Sequence, residues 1–143
     1  MFVTDELVFI APERGVESFA EGQYTRQILV LVLHEPASAG NRDFLAKIFA
    51  AAQLDLTRDS LFAQVPPHEP LSLPPFIREK RPAQVLVFGL PPTQLGLTLQ
   101  VRPYQAVEFY GTTWLFADAL SALEPDKTKK GLLWTALKAL FLP

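Results

Sequence analysis

The sequence contains no cysteine among its 143 residues. Disulfides, thiol catalysis, iron–sulfur clusters and thiolate zinc sites are therefore excluded, and the absence is consistent with a reducing compartment. Histidine is scarce as well. The only two, His34 and His68, form no closely spaced pair and have no obvious third ligand, so we predict neither a metal site nor a bound cofactor.

Several sequence signals of enzymes and of membrane proteins are also missing. No glycine-rich phosphate loop follows the most apolar segments, and no Gly-x-Ser-x-Gly motif is present. No apolar run approaches the ~20 residues that cross a bilayer, and Asp5 and Glu6 interrupt any signal-peptide pattern. We therefore expect a cytoplasmic protein with no membrane association. The net charge of −2 gives no general attraction to nucleic acid, although it leaves room for a local basic patch.

Two apolar segments dominate what the sequence does contain. Residues 27–33 and 83–90 are almost unbroken hydrophobic runs, and prolines flank the second of them. Such runs are typical of strands that are buried on both faces of a parallel sheet, so we expect the two to share one sheet. Because hydrophobic residues make up 49% of the chain, we predict a single globular domain over residues 1–143.

The remaining periodicity predicts alternating helices and strands around a core of residues 27–141, with residues 1–24 peripheral and residues 7–10 compatible with a short strand. The expected elements are a helix over 41–53, a strand over 61–65, a proline-rich loop over 66–75, a helix over 76–81, a turn over 92–97, a strand over 106–110, and helices over 114–123 and 126–141. This order predicts an α/β fold: a three-layer αβα sandwich with a mainly parallel sheet of about four or five strands.

The first apolar strand ends in polar residues that are candidates for a pocket. His34 and Glu35 follow this strand, at the sheet edge where α/β proteins form their sites, and Asp43 lies in the first turn of the next helix. A histidine beside a carboxylate suits acid–base chemistry. Neighbouring residues at a strand end point in opposite directions, however, so a role in anchoring the loop is the alternative.

Lysines at the start of the last helix are candidates for binding an anion. Lys127, Lys129 and Lys130 lie where free backbone N–H groups favour negative charge. The alternative is a solvated basic turn whose charge Asp126 partly offsets.

Two further groups of residues suggest contacts with nucleic acid. A second basic patch is possible from Arg78, Lys80, Arg81 and Arg102, although a solvated helix face is the simpler explanation. Aromatic side chains that suit base stacking, but equally a hydrophobic core, are Phe109, Tyr110, Trp114 and Trp134.

Four segments, in order, give the chain a resemblance to a known superfamily. Residues 29–56 combine an apolar strand, a proline-containing loop and a helix, and residues 61–65 supply a second strand. Residues 78–89 combine a helix, the Arg81-Pro82 junction and a strand that ends in glycine. Residues 123–134 contain a proline, lysines and then a tryptophan. Across residues 27–141 the order and spacing of these segments resemble those of the uracil-DNA glycosylase superfamily.

The resemblance implies the scaffold of that superfamily but not its chemistry. Active members carry a glycine-rich loop with an acidic or amide residue after the first strand, and a His-Pro-Ser segment after the strand near the C-terminus. Here residues 33–38 and 110–114 occupy those places; only Pro36 matches in the first, and the second contains no histidine. The chain is in this respect similar to the non-catalytic DNA polymerase III psi subunit branch.

The resemblance therefore implies a non-catalytic module, with no catalytic residues, that acts in binding or as an adaptor. Its implied setting is DNA replication or repair. The expected partner is another protein, or nucleic acid through a local basic patch. The alternative is an enzyme that acts on a nucleobase or nucleotide through a rearranged site near His34 and Glu35.

Overall fold

The structure, a computed structural model, describes residues 20–35, 41–98 and 100–142. The possible strand at residues 7–10 lies outside these ranges. Strands and helices alternate along the described chain as follows: β1 (Ala20–Glu21), β2 (Ile28–Leu33), α1 (Asn41–Ala51), α2 (Leu56–Asp59), β3 (Ser60–Val65), α3 (Leu73–Lys80), β4 (Gln84–Phe88), a 3-10 turn (Pro92–Leu95), β5 (Val107–Phe109), β6 (Thr112–Ala117), α4 (Leu120–Leu123) and α5 (Lys127–Phe141).

All six strands belong to one mixed sheet in the order β1-β3-β2-β4-β6-β5. The pairs β2–β3, β2–β4 and β4–β6 are parallel. The short outer strands β1 and β5 pair antiparallel with β3 and β6. The expected α/β class and the adjacency of the two apolar runs are confirmed, because β2 and β4 are direct neighbours. Within the described residues the sheet has six strands, where four or five were expected.

The alternation of side chains along the central strands produces a hydrophobic cluster on each face of the sheet. Leu29, Leu31 and Val85 pack in one cluster with residues of α3. Val30 and Leu86 pack in the other with residues of α1, α4 and α5. The central strands are buried on both faces, which is why they contain almost no polar residue.

The predicted helix over residues 114–123 is wrong, because its first half is strand β6. Tyr110 and Gly111 have φ angles of 58° and 71°, and Phe109 lies opposite Thr112 in the sheet. They therefore form a two-residue hairpin turn, whose left-handed conformations match the twist of the flanking strands. The run of threonine and aromatic residues that follows favours a strand, and only α4 is helical in the rest of the segment.

The predicted proline-rich loop is too long at its end, because helix α3 begins at Leu73. Pro74 and Pro75 lie in its first turn, where a backbone N–H has no helical partner and its loss costs little. Arg81 ends the helix in the left-handed conformation, with φ 48°. This conformation redirects the chain after α3, and β4 begins three residues later at Gln84.

Candidate binding surfaces at the two edges of the sheet

The strand order creates a crevice between β2 and β4. The chain passes from β2 to β3 on one side and then crosses to β4 on the other, so the connections leave the two strands in opposite directions. Ligands of open α/β sheets bind at such a switch point, outside the carboxyl ends of the strands. Here the residues at that place are Leu33 at the end of β2, His34 and Glu35 after it, and Gly89 after β4.

Among the described residues of this crevice, Gly89 packs tightly against the ends of the neighbouring strands. Gly89 has φ 83°, and a Cβ added to it would lie 2.9 Å from the Cβ of Ala119 and 3.1 Å from the Cβ of Leu33. Its N–H donates a hydrogen bond of 2.9 Å to the carbonyl of Ala117. The ends of β2, β4 and β6 therefore meet without space for one more methyl group between them.

Glu35 links the end of β2 to helix α4. Its carboxylate accepts hydrogen bonds from the backbone N–H of Ser121, at 3.3 Å, and from the Ser121 hydroxyl. His34 is exposed, and its backbone N–H donates to the carbonyl of Val65 at 2.8 Å. Asp43, also exposed, lines a separate groove with Arg42, to which neither His34 nor Glu35 contributes.

Beside this contact, a groove of about 470 Å³ lies at the carboxyl ends of β4 and β6, and Gly89 and Ala119 belong to its lining. Its walls are mostly apolar, and Asp118 is the one ionisable residue among those described in its lining. The Tyr104 hydroxyl donates to Asp118 at 2.6 Å, and the Lys129 ammonium lies 3.5 Å from the same carboxylate. Burial, followed by this hydrogen bond, raises the pKa of Tyr104 to about 12. Asp118 is therefore already engaged by two neighbours.

The lysines at the start of α5 have different neighbours. Lys129 pairs with Asp118, and its backbone N–H donates at 3.0 Å to the N-cap carboxylate of Asp126. Lys130 lines a groove of about 330 Å³ between α1 and α5, together with Lys47 and Trp134. Lys127 is exposed. An acidic side chain thus already occupies the helix N-terminus that we considered a candidate site for an external anion.

A groove of about 620 Å³, larger than those described above, lies at the opposite, amino edge of the sheet. We call it the amino-edge groove; it runs between the end of α3 and the β5–β6 turn, and its lining is Pro74, Ile77, Arg78, Arg81, Pro82, Tyr110, Gly111 and Thr112. Both arginines are exposed, and neither forms an ion pair with a carboxylate of the described residues. Tyr110 is 58% exposed, the highest value among the large hydrophobic residues described.

Tyr110 is supported by contacts that run through two further aromatic rings. The ring centroids of Tyr110 and Phe109 lie 4.3 Å apart, and those of Phe109 and Trp114 lie 6.4 Å apart. The indole N–H of Trp114 donates at 2.8 Å to the carbonyl of Phe109, which fixes the strand just before the turn. Trp114 itself is fully buried. Of the aromatic residues considered for stacking, Tyr110 therefore presents the most open ring.

Comparison with known proteins does not place the chain in a family. No protein-family model matches the sequence, and no curated protein is significantly similar to it. Within the described ranges, no helix has the length and apolar character needed to span a membrane, and acidic and histidine side chains form no metal-binding cluster. Function therefore has to be inferred from the geometry of the fold and its surfaces.

Proposed function

We propose that the protein is a non-catalytic binding module on a uracil-DNA glycosylase-like scaffold, acting as an adaptor in DNA replication or repair. The observation that carries this proposal is the close packing of Gly89 against Ala119 and Leu33 at the switch point. An enzyme that acts on a nucleobase needs a pocket for the base and side chains that activate water or the leaving group. At this crevice the packing of small and apolar residues takes the place of both.

The chemistry at the ends of the central strands supports the same conclusion. The Glu35 carboxylate is held by Ser121, and a carboxylate used in this way is a structural brace. We predicted the place of the superfamily's histidine segment at residues 110–114, but these residues form the β5–β6 turn and the start of β6. The end of β6 is followed by Asp118 and Ala119, again with no histidine. Asp118 is in turn engaged by Tyr104 and Lys129.

Two grooves away from the switch point suit binding. The amino-edge groove carries two arginines, and the groove between α1 and α5 places Lys47 and Lys130 beside apolar side chains. Cationic groups around an apolar floor favour a partner with negative charge and exposed rings or alkyl groups. Such a partner is an acidic protein segment or a nucleic acid.

Uracil-containing DNA provides the test of the proposal. We expect no release of free uracil from single- or double-stranded substrate above the level of a buffer control, because the described residues leave no space for a base between Gly89, Ala119 and Leu33. Chromatographic detection of the free base measures this. The alternative, an enzyme with a rearranged site, predicts release that is lost on Glu35→Gln or His34→Ala but retained in the control Asp43→Asn. That pattern would overturn the proposal.

A further inference from the structure

We propose that the amino-edge groove binds a single-stranded segment of nucleic acid, with phosphates on Arg78 and Arg81 and a base stacked on Tyr110. This inference rests on the proposed function as a binding module and names the class of partner. It places the contact at the edge of the sheet opposite the switch point.

The two guanidinium groups are available for phosphate. Arg78 and Arg81 lie one helical turn apart, line the same groove and are unpaired with any described carboxylate. The planar guanidinium presents N–H donors in a fork that matches two phosphate oxygens. Because the chain as a whole carries a net charge of −2, attraction of a polyanion must come from such a local arrangement.

The tyrosine supplies a preorganised face for a base. Phe109 lies against Tyr110, and Trp114 holds Phe109 through a ring contact and a backbone hydrogen bond. A ring held in this way loses little conformational entropy when a base stacks on it. The end of helix α3 and the β5–β6 turn hold Arg81 and Tyr110 in left-handed backbone conformations, with φ 48° and 58°.

The size and composition of the groove favour a single strand over a duplex or an acidic peptide. A groove of about 620 Å³ has the size of a small-molecule site and suits a nucleotide-sized group. The bases of a duplex are stacked on each other and cannot reach Tyr110 without unpairing. An acidic peptide offers carboxylates to Arg78 and Arg81 but no base, so its binding does not need the ring of Tyr110.

Fluorescence anisotropy with a labelled oligothymidylate, measured over a range of salt concentrations, tests this proposal. We expect Tyr110→Ala to weaken binding about 10- to 100-fold, and Tyr110→Phe to retain most of the affinity, because stacking needs the ring and not the hydroxyl. The double variant Arg78→Ala/Arg81→Gly is expected to weaken binding and to reduce the slope of log K against log salt by about 1 to 2. Glycine accepts the φ of 48° at position 81, so this variant is expected to fold.

Arg102→Ala is the matched control, because it removes one exposed positive charge that does not line the groove. It is expected to keep the salt slope of the unaltered protein. The proposal is overturned if the oligothymidylate does not bind, if the groove variants bind as well as the Arg102→Ala control, or if polyglutamate binds equally well in the same salt. The proposed function fails if the protein releases free uracil from DNA. The binding results above do not depend on that assay, so the two failures are distinguishable.

Discussion

Replacing Gly89 by alanine is expected to lower the free energy of unfolding by about 2–5 kcal/mol, from backbone strain and overpacking together. The residue has φ 83°, a conformation that L side chains rarely adopt. The added Cβ would also lie within 3.1 Å of carbon atoms of Ala119 and Leu33. These atoms belong to the central packing of the sheet ends and cannot all move aside. Urea denaturation of the purified variant measures the effect.

Gly131→Ala is the matched control for this prediction. Gly131 lies in α5, where an added Cβ would meet nothing within 4 Å. Alanine there is expected to be stabilising by about 0.5–1 kcal/mol, because glycine disfavours a helix interior. The double variant Gly89→Ala/Ala119→Gly should recover part of the loss, since it removes one contacting Cβ but not the backbone strain. If Gly89→Ala were as stable as the unaltered protein, the crevice would have room for a substituent, which contradicts its closure.

Replacing Trp114 by alanine is expected to lower the free energy of unfolding by about 3–5 kcal/mol, as for other large buried aromatics. The side chain is fully buried, stacks 6.2 Å from Phe116 and contacts Phe109. Trp114→Phe preserves much of this packing but removes the N–H that donates to the Phe109 carbonyl. It is expected to be destabilising by about 1–2 kcal/mol, the scale of one hydrogen bond. Urea denaturation again provides the measurement.

Trp134→Ala is the control for Trp114, because this second tryptophan is only partly buried and lies on α5. A smaller loss of stability is expected there. If Trp134→Ala were the more destabilising of the two, Trp114 would not occupy the interior position that strand β6 gives it.

The central strands were predictable because burial on both faces of the sheet determines their sequence. A strand covered on both faces must be apolar at every position, and residues 28–33 and 85–88 meet that requirement without interruption. Helix α5 was predictable for a related reason, since Leu133 and Leu137 are buried at helical spacing and Asp126 caps its start.

The hairpin before β6 was not predictable from the same kind of pattern. Two-residue turns with left-handed conformations usually contain asparagine or aspartate before glycine, and tyrosine occupies that position here. Buried residues of β6 and of α4 also follow each other closely, so Leu115, Leu120 and Leu123 give an apparent helical spacing across two different elements.

The candidate groove depends on contacts between distant parts of the chain. The sequence identified Arg78 and Arg81 as basic and Tyr110 as a possible stacking residue, but nothing local brings them together. They meet because β4 pairs with β6, which places Gln84 beside Thr113 and the turn before β6 near the end of α3. The brace between Glu35 and Ser121 similarly spans 86 residues.

An amide chemical-shift titration of the isotope-labelled protein with an oligothymidylate tests most directly the claim that the crevice is closed and binding occurs at the opposite edge. The predicted result is that shifts concentrate at residues 78–81 and 110–112. Residues 33–35, 89 and 117–121 are predicted to remain unchanged. Shifts concentrated instead at Leu33, Gly89 and Ala119 would show that a ligand enters the switch point and would contradict the claim.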